Sequence, residues 1–181
     1  MTRIIPPARF ETARLVARRP SVTDAPAVLA AYAGDPEVTR YLSWKAYDRI
    51  EPVAEFLLGR MEAWEKGDGA FAWMLCLRGS DEPIGSIGCT IDAGRAMFGY
   101  VLGRRHWGRG LMAEALGWLV DWSLSQPEIF RAWAFCDVEN PASARVMEKA
   151  GMRREGVLCR WHTCPTIGPG LRDCLVYAKV R

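Results

Sequence analysis

The sequence contains no apolar run near the ~20 residues that a helix needs to cross a bilayer. Its opening, M-T-R-I-I-P-P-A-R-F, lacks the hydrophobic region and the cleavage pattern of a signal peptide. Charge of one sign is also scarce, because 24 basic and 21 acidic residues leave a formal net charge of only +3. A general polyanion-binding surface would need a larger net positive charge. These absences predict a cytoplasmic protein with neither a membrane nor a nucleic acid as partner.

The cysteines do not have the spacing of a metal site. Three of the six lie inside apolar, strand-like runs and are interpreted as small buried hydrophobes. A set built from Cys159, His162, Cys164 and Cys174 would not repeat the paired ligand spacing that is typical of zinc sites. No metal is therefore predicted.

Length and hydrophobic periodicity predict one α/β domain over residues 1–181. Half of the residues are hydrophobic and a quarter are charged, as in globular chains of this size. Three successive strands without intervening helices favour antiparallel pairing, and a strand reached across a helix favours a parallel neighbour. We expect a mixed sheet with helices on both faces. The predicted strands are 14–18, 71–77, 83–91, 96–102, 131–136 and two within 153–181; the predicted helices are 25–32, 37–42, 52–66, 111–125 and 141–150.

The stretch from Phe98 to Leu116 carries the strongest functional signal. A short apolar strand runs into a loop with Gly108 and Gly110, and the loop opens directly into an amphipathic helix. The start of a helix has unpaired backbone N–H groups, and glycine lets an anion approach them closely. The loop also carries three cationic side chains, those of Arg104, Arg105 and Arg109. It is therefore predicted to bind a phosphate or pyrophosphate, rather than to be a plain glycine-rich turn.

Two well-known phosphate loops fit this stretch poorly. A kinase-type loop requires Gly-Lys-Ser or Gly-Lys-Thr, which the sequence lacks. Gly108, Gly110 and Ala113 satisfy the dinucleotide pattern G-x-G-x-x-G/A literally, and Asp137 follows at a suitable distance for a ribose contact. That fold, however, places its first glycine almost directly after the strand and requires a second βαβ half. The sequence supplies neither.

Two motifs resemble those of the GNAT N-acetyltransferase superfamily. Arg105-x-x-Gly108-x-Gly110, continued by L-M-A-E-A-L, is similar to that family's coenzyme A pyrophosphate loop. The second motif is N-P-A-S-A-R-V-M-E-K-A-G-M over 140–152, with Glu155-Gly156 beyond it. The opening F-E-T-A-R-L-V-A-R and the sequence D-P-E-V at 35–38 are similar to the subgroup that includes ribosomal-protein N-terminal acetyltransferases. The resemblance covers essentially the whole chain. Its motifs are specific for acetyl-CoA binding and give only weak information about the acceptor.

The resemblance implies a single-domain GNAT fold that binds acetyl-CoA. In that fold a mixed, mostly antiparallel sheet splays at its centre, and the cofactor lies in the cleft. Backbone groups of one strand would pair with the pantetheine amides, and amides of the loop would hold the pyrophosphate. Asn140 would contact the cofactor or only cap its helix. The implied cofactor-binding set is Val101, Leu102, Arg105, Gly108, Arg109, Gly110, Leu111, Met112 and Asn140.

The resemblance also implies a mechanism. A neutral amine, from a protein N-terminus or a small molecule, attacks the acetyl group directly, a backbone N–H polarises the carbonyl, and the CoA thiolate leaves without a covalent enzyme intermediate. Many family members protonate the thiolate with a tyrosine at the place of Met147, which cannot donate. Ser143 is the nearest matching hydroxyl, and a serine occupies this place in the ribosomal-type subgroup. We therefore predict Ser143 as the donor; a serine in a first helical turn is also a common local cap.

The general base and the acceptor site are less well defined. His162 aligns loosely with a catalytic acid of the ribosomal-type subgroup and is the candidate base, with Glu155 and Asp92 as weaker alternatives. His106 is expected to be structural or solvent-facing. Four aromatic residues would line an acceptor pocket or belong to the core: Tyr41, Trp44, Trp73 and Tyr100.

Two functions therefore stay open, beside a nucleotide-dependent oxidoreductase as the third alternative. The first is an acetyl-CoA-dependent N-acetyltransferase. The second is an acyl-CoA sensor or partner-binding protein of the same fold, because Met147 stands at the usual tyrosine place and the base is undefined. A homodimer is a further expectation that no feature of the sequence decides.

Overall fold

The computed structural model describes residues 4–67 and 69–181, so the first three residues of the predicted domain lie outside it. Its centre is an eight-stranded sheet with the strand order β1-β2-β3-β4-β5-β6-β8-β7. The strands are β1 (Arg9–Glu11), β2 (Leu15–Arg18), β3 (Ala70–Leu77), β4 (Pro83–Asp92), β5 (Arg95–Leu102), β6 (Arg131–Asp137), β7 (Arg153–Thr163) and β8 (Leu171–Val180). The helices are α1 (Ala25–Val28), α2 (Pro36–Thr39), α3 (Glu51–Lys66), α4 (Leu111–Ser125) and α5 (Pro141–Lys149).

The sheet is mixed and mostly antiparallel, which confirms the predicted fold class. Only β5 and β6 run parallel among the pairs of the described residues. The single parallel pair follows from the chain path, because α4 connects β5 to β6 and returns the chain to the starting end of its neighbour. Strand β1 was not predicted. Its three residues form the sheet edge, where Phe10 is buried and its ring stacks on Trp118 with 4.2 Å between centroids.

Helices cover both faces of the sheet, and each face has its own core. Side chains of successive strand residues point to opposite faces, so Trp73 and Leu75 join the core beneath α4 and α5, whereas Met74 joins the core beneath α1 and α3. Leu119 of α4 and Leu57 of α3 are fully buried on their respective faces. Burying a leucine side chain contributes about 1.5–3 kcal/mol. The sheet is thus packed against a separate core on each face.

The first helical region is more irregular than its pattern predicts. The predicted helix over 25–32 is helical as α1 only to Val28 and continues as a π-type turn over Leu29–Ala33, closed by a hydrogen bond from Gly34 N–H to the Leu29 carbonyl. The carboxylate of Asp35 then accepts from the Glu37 amide at 3.0 Å and caps α2. Helix α2 ends at Thr39, three residues before the predicted end, and the chain turns towards the sheet.

The two central strands separate where the predicted cofactor strand lies. The parallel register runs from Arg95 opposite Arg131 to Met97 opposite Trp133 and then stops. Beyond this point β6 continues to pair with β8, as far as Asp137 opposite Cys174. The edge of β5 from Phe98 to Leu102 that faces β6 therefore has no strand partner. Main-chain N–H and C=O groups on this edge need hydrogen-bonding partners of another kind.

Candidate active site

A cavity of about 850 Å³ opens at the splay between β5 and β6. Its size lies within the range usual for ligand sites. It extends from the loop before α4, through the gap between the strands, to the space beneath α2 and α3. The predicted site residues that line it are Val101, Leu102, Gly108, Gly110, Leu111, Met112, Asn140, Ser143 and His162.

The loop before α4 has the backbone that an anion site requires. Gly108 and Gly110 have φ angles of +74° and +76°, in the left-handed region that favours glycine. A Cβ at Gly108 would meet nothing within 4 Å, so its backbone is open to an approaching group. Gly110 is the N-cap of the fifteen-residue α4 and has no side chain to cover the first-turn amides. The amides of Leu111 and Met112 thus border the cavity at the positive end of the helix.

Two contacts fix this loop against the rest of the site. The Arg104 guanidinium lies 3.0 Å from the Asp35 carboxylate and so ties the loop to the N-terminus of α2. The indole N–H of Trp107, which is itself half-exposed, donates to the Leu102 carbonyl at 2.6 Å. The side chains of Arg105 and Arg109, both predicted cofactor contacts, are exposed and lie outside the cavity lining. The main chain of the loop, and not these two arginines, faces the cavity.

Ser143 lies opposite β5 in the first turn of α5. Its amide donates to the Asn140 side chain at 3.1 Å, so Asn140 caps α5. Capping is one of the two roles that the sequence predicts for Asn140. The phenol oxygen of Tyr100 is 2.7 Å from Ser143 Oγ and 3.1 Å from the Ser143 carbonyl oxygen, and either oxygen can accept its single proton. Burial raises the pKa of the Tyr100 phenol, so this group stays protonated at any ordinary pH. Two hydroxyl groups therefore sit side by side at the cleft.

His162 reaches the cavity from β7 on the far side of the splay. Its ring packs edge-on against Phe135 of β6, with 5.1 Å between centroids. Burial lowers the pKa of the His162 imidazole below its usual 6.5, and the charge of Asp137 opposes this shift only in part. The ring is therefore neutral near pH 7 and able to accept a proton. His106, in the loop before α4, also borders the cavity, and burial lowers its pKa as well.

Asp137 is a buried carboxylate whose oxygens are fully engaged. It accepts from the Glu139 amide at 2.8 Å and from two nitrogens of Arg172. Burial alone would raise the pKa of the Asp137 carboxyl, but the hydrogen bonds from Arg172 and the Glu139 amide outweigh it, and the pKa is lowered. The ribose contact suggested by a dinucleotide pattern would need a carboxylate oxygen that is not already occupied by Arg172.

Cys136 lies beside Ser143 and lines the same cavity. Burial raises the pKa of its thiol to about 11, with the hydrogen bond from Ser143 acting in the opposite direction. Cys89, also on the lining, has its pKa raised by burial to about 12. Because only a thiolate is a strong nucleophile, neither cysteine is activated for attack near neutral pH.

Several other sequence candidates lie away from the cavity. Glu155 pairs with Arg131 and Asp92 pairs with Arg95, and neither carboxylate lines the site. Trp73 is fully buried in the core beneath α4, whereas Tyr41, Trp44 and Tyr100 do line the cavity.

Residues 4–67 and 69–181 contain neither a candidate group of metal ligands nor a helix that could span a membrane. No three His, Cys, Asp or Glu side chains in these ranges come together in a way that could hold a metal ion. No helix within them has both the length and the apolarity to cross a membrane.

Comparison with known proteins gives consistent matches over most of the chain. A family model for the acetyltransferase (GNAT) domain matches residues 14–153. The chain is 31% identical over 150 residues to the uncharacterized N-acetyltransferase p20 of Bacillus licheniformis, which covers 81% of this chain and 83% of that protein.

Solved structures share the fold over nearly the full length. The microcin C7 self-immunity acetyltransferase MccE, in complex with acetyl-CoA and AMP, has a TM-score of 0.85 at 20% identity, covering 98% of each chain. The ribosomal L7/L12 alpha-N-protein acetyltransferase RimL, in complex with coenzyme A, has a TM-score of 0.81 at 21% identity, also over 98% of each chain. At these sequence identities the similarity establishes the fold alone.

Proposed function

Because the chain belongs to the acetyltransferase (GNAT) family, we propose that it transfers the acetyl group of acetyl-CoA to a primary amine by direct attack in a ternary complex. One observation carries the proposal: the glycine loop at the start of α4, the unpaired edge of β5 and the Tyr100–Ser143 hydroxyl pair all border one cavity. Acetyl-CoA needs a pyrophosphate site, an extended strand partner and a group that stabilises a departing thiolate. The acceptor is a small-molecule amine or a protein N-terminus.

The cofactor would lie along the loop and the open strand edge. The amides from Gly108 to Met112 would hold the pyrophosphate, and the main chain of Val101 and Leu102 would pair with the pantetheine amides. The solved complexes of MccE with acetyl-CoA and of RimL with coenzyme A support this assignment, because both share the fold. A backbone N–H of the same strand edge would polarise the acetyl carbonyl, and such a contact strengthens as negative charge develops on the oxygen.

The attacking amine has to lose a proton, whereas the departing thiolate has to gain one. His162 would take the proton of the attacking amine, because its lowered pKa keeps the imidazole neutral. Ser143 would donate to the departing thiolate, whose thiol has an ordinary pKa of about 8.5. Tyr100 would donate to Ser143 in turn and leave the serine proton available for sulfur. Met147, fully buried, takes no part in this transfer.

Direct attack is favoured over an acyl-enzyme route. The nucleophile of such a route would be Cys136 or Cys89, and burial keeps both thiols protonated. The cavity instead extends on both sides of the splay, which suits two substrates bound together. The cytoplasmic location and the homodimer expected from the sequence stay predictions.

A thiol-release assay with acetyl-CoA and a panel of amines, including peptides with free N-termini, tests the proposal. We expect thiol release that requires both acetyl-CoA and one class of amine, with an equal amount of N-acetylated product. A rise in melting temperature with acetyl-CoA, but no thiol from any amine, would favour the sensor alternative. If acetyl-CoA neither binds nor is consumed, the proposal is wrong.

A further inference from the structure

The part of the cavity beneath α2 and α3, which we name the acceptor arm, has a floor of small strand residues. Ala72, Gly88 and Gly99 lie opposite one another on β3, β4 and β5. All three line the cavity. A Cβ at Gly99 would meet nothing within 4 Å, so the surface there is open. Strand residues with side chains would fill this space; three small residues in a row leave a shallow, level surface.

Aromatic rings face this floor from the helical side. Trp44 and Tyr47 stack with 5.2 Å between centroids and 12° between planes, and both line the acceptor arm. Tyr41 and Phe56 line it as well, and the Phe56 side chain is 44% exposed. A floor of small residues beneath exposed rings fits a planar group, which would gain about 0.5–1.5 kcal/mol for each well-placed aromatic contact beyond its burial.

The acceptor arm also carries two arginines that lie over aromatic rings. Arg40 lies 5.4 Å from the Tyr41 ring centroid and Arg60 lies 5.0 Å from that of Phe56. Throughout the part of the chain that the structure describes, no carboxylate lies within 4.0 Å of either guanidinium. Among the described residues, exposed arginines that line no cavity, such as Arg153, also have no carboxylate within this distance, so Arg40 and Arg60 are distinguished by their place on the cavity lining. Two guanidinium groups on one cavity lining favour a ligand that carries an anionic group.

Other charges on the cavity lining do not cancel these two. Asp137 and Glu139 are both engaged by Arg172. Glu37, exposed and one turn before Arg40 on α2, is the remaining carboxylate on the lining. It would attract the ammonium form of an arriving amine. Arg145 and Lys149 of α5 belong to the opposite end, where the cofactor would lie.

We infer that the acceptor is a small amine that carries both an aromatic ring and an anionic group, a carboxylate or a phosphate. This inference rests on the proposed function and adds the substrate class. A general protein N-terminus brings neither a ring nor an anion of its own. A guanidinium group on the lining forms charge-assisted hydrogen bonds with an anionic ligand that it cannot form with the uncharged analogue.

Matched acceptors test the two requirements separately. Phenylalanine and phenylalaninamide differ in the carboxylate, pyridoxamine 5′-phosphate and pyridoxamine differ in the phosphate, and alanine lacks the ring. We expect kcat/KM for at least one anionic ring compound to exceed that of its uncharged partner and that of alanine by about tenfold or more. Whether phenylalanine or pyridoxamine 5′-phosphate shows the larger ratio identifies the anion. Equal rates within each pair, or a faster reaction with an Ala-Ala-Ala peptide, would overturn the inference.

Two variants of the acceptor arm and one control variant separate a loss of anion recognition from a general loss of folded enzyme. Arg60→Ala and Arg40→Ala are each expected to lower the anionic-to-uncharged ratio of kcat/KM by about fivefold. Arg153→Ala is the control, because Arg153 is exposed and lies outside the cavity. An equal fall of the ratio in the control, or an unchanged ratio in both arm variants, would contradict the assignment.

Calorimetry separates failure of the inference from failure of the proposed function. If acetyl-CoA binds but titration of the acceptors shows no preference for the anionic partner, only the substrate class is wrong. If acetyl-CoA does not bind, both the substrate class and the proposed function fail.

Discussion

The phenol oxygen of Tyr100 lies 2.7 Å from Oγ of Ser143, and this contact joins β5 to the first turn of α5 across the inner end of the cleft. Each hydroxyl can serve as donor or acceptor to the other. The Ser143 carbonyl offers Tyr100 a second acceptor at 3.1 Å. Two donors beside one cavity provide what the chain lacks at Met147, a protonated group that can face a leaving thiolate.

Removing the serine hydroxyl should reduce turnover more than cofactor binding. We expect Ser143→Ala to lower kcat by about 100-fold, as for loss of a general acid, with the Kd for acetyl-CoA nearly unchanged. Tyr100→Phe should lower kcat by about tenfold, since it acts through Ser143. The double variant should resemble Ser143→Ala, because the two residues act as a unit. Steady-state kinetics and calorimetry on the three variants check this, and additive losses in the double variant would separate the two hydroxyls.

The pH dependence of kcat/KM should report His162. The acceptor must be neutral, so with an α-amine of pKa about 8 the rate falls below pH 8. His162 must also be neutral, and because burial lowers its pKa below 6.5, a second fall is expected at lower pH. The logarithmic slope should therefore change from one to two as pH drops. His162→Gln should lower the rate and keep a slope of one throughout, whereas His106→Gln should keep both falls. A wild-type slope that never exceeds one would remove His162 as the base.

A side chain at Gly110 should weaken acetyl-CoA binding. The φ angle of +76° makes alanine unfavourable there by about 1–2 kcal/mol, and relief of this strain would rotate the first amides of α4 away from the pyrophosphate. We expect KM for acetyl-CoA to rise by about tenfold. Gly79, with a φ angle of +85° and open space around it, is the matched control in the turn between β3 and β4. Gly79→Ala should lower the melting temperature similarly and leave KM unchanged; a rise of KM in both variants would contradict the account.

Arg172 should stabilise the fold through Asp137. The Asp137 side chain is completely buried, so removing its cation leaves an uncompensated charge that costs about 2–3 kcal/mol. Arg172→Gln should therefore lower the free energy of unfolding at pH 7, and adding Asp137→Asn should restore part of the loss. Because the pKa of Asp137 is lowered in the fold, the wild-type contribution is present above the ordinary aspartate pKa and is lost as pH falls through the lowered value.

The exposed pair of Arg95 with Asp92 supplies the control for that experiment. Surface pairs contribute about 0–1 kcal/mol, so Arg95→Gln should change the free energy of unfolding little. Urea denaturation of the variants measures these differences. An Arg172→Gln effect no larger than that of Arg95→Gln would mean that the buried carboxylate is satisfied in another way.

Local sequence patterns predicted the elements that depend on local chemistry. The loop of Gly108 and Gly110, the start of α4 and the Asn140-Pro141 cap of α5 are each determined by residues that are close in sequence, and they appear where expected. The family resemblance drawn from these motifs is confirmed by the match over residues 14–153. Strand β1 was missed because three residues give too short an alternation to be recognised.

Contacts between distant segments could not be predicted in the same way. Tyr100 and Ser143 are 43 positions apart, and only the splay of β5 from β6 brings them together. Tyr47 and Phe56 of the acceptor arm belong to no sequence motif. Isolated aromatic residues are as typical of a hydrophobic core as of a binding pocket. Arg105 and Arg109 were predicted as cofactor contacts from the loop motif and its charge; their side chains lie outside the cavity lining, and their roles stay predictions.

A crystal structure of the protein with acetyl-CoA tests the central claim most directly. The account predicts the pyrophosphate on the amides from Gly108 to Met112, the pantetheine arm along β5 between Phe98 and Leu102, and the sulfur within hydrogen-bonding distance of the Ser143 hydroxyl. A cofactor bound elsewhere, or a sulfur out of reach of Ser143 with the acetyl group turned away from His162, would contradict it.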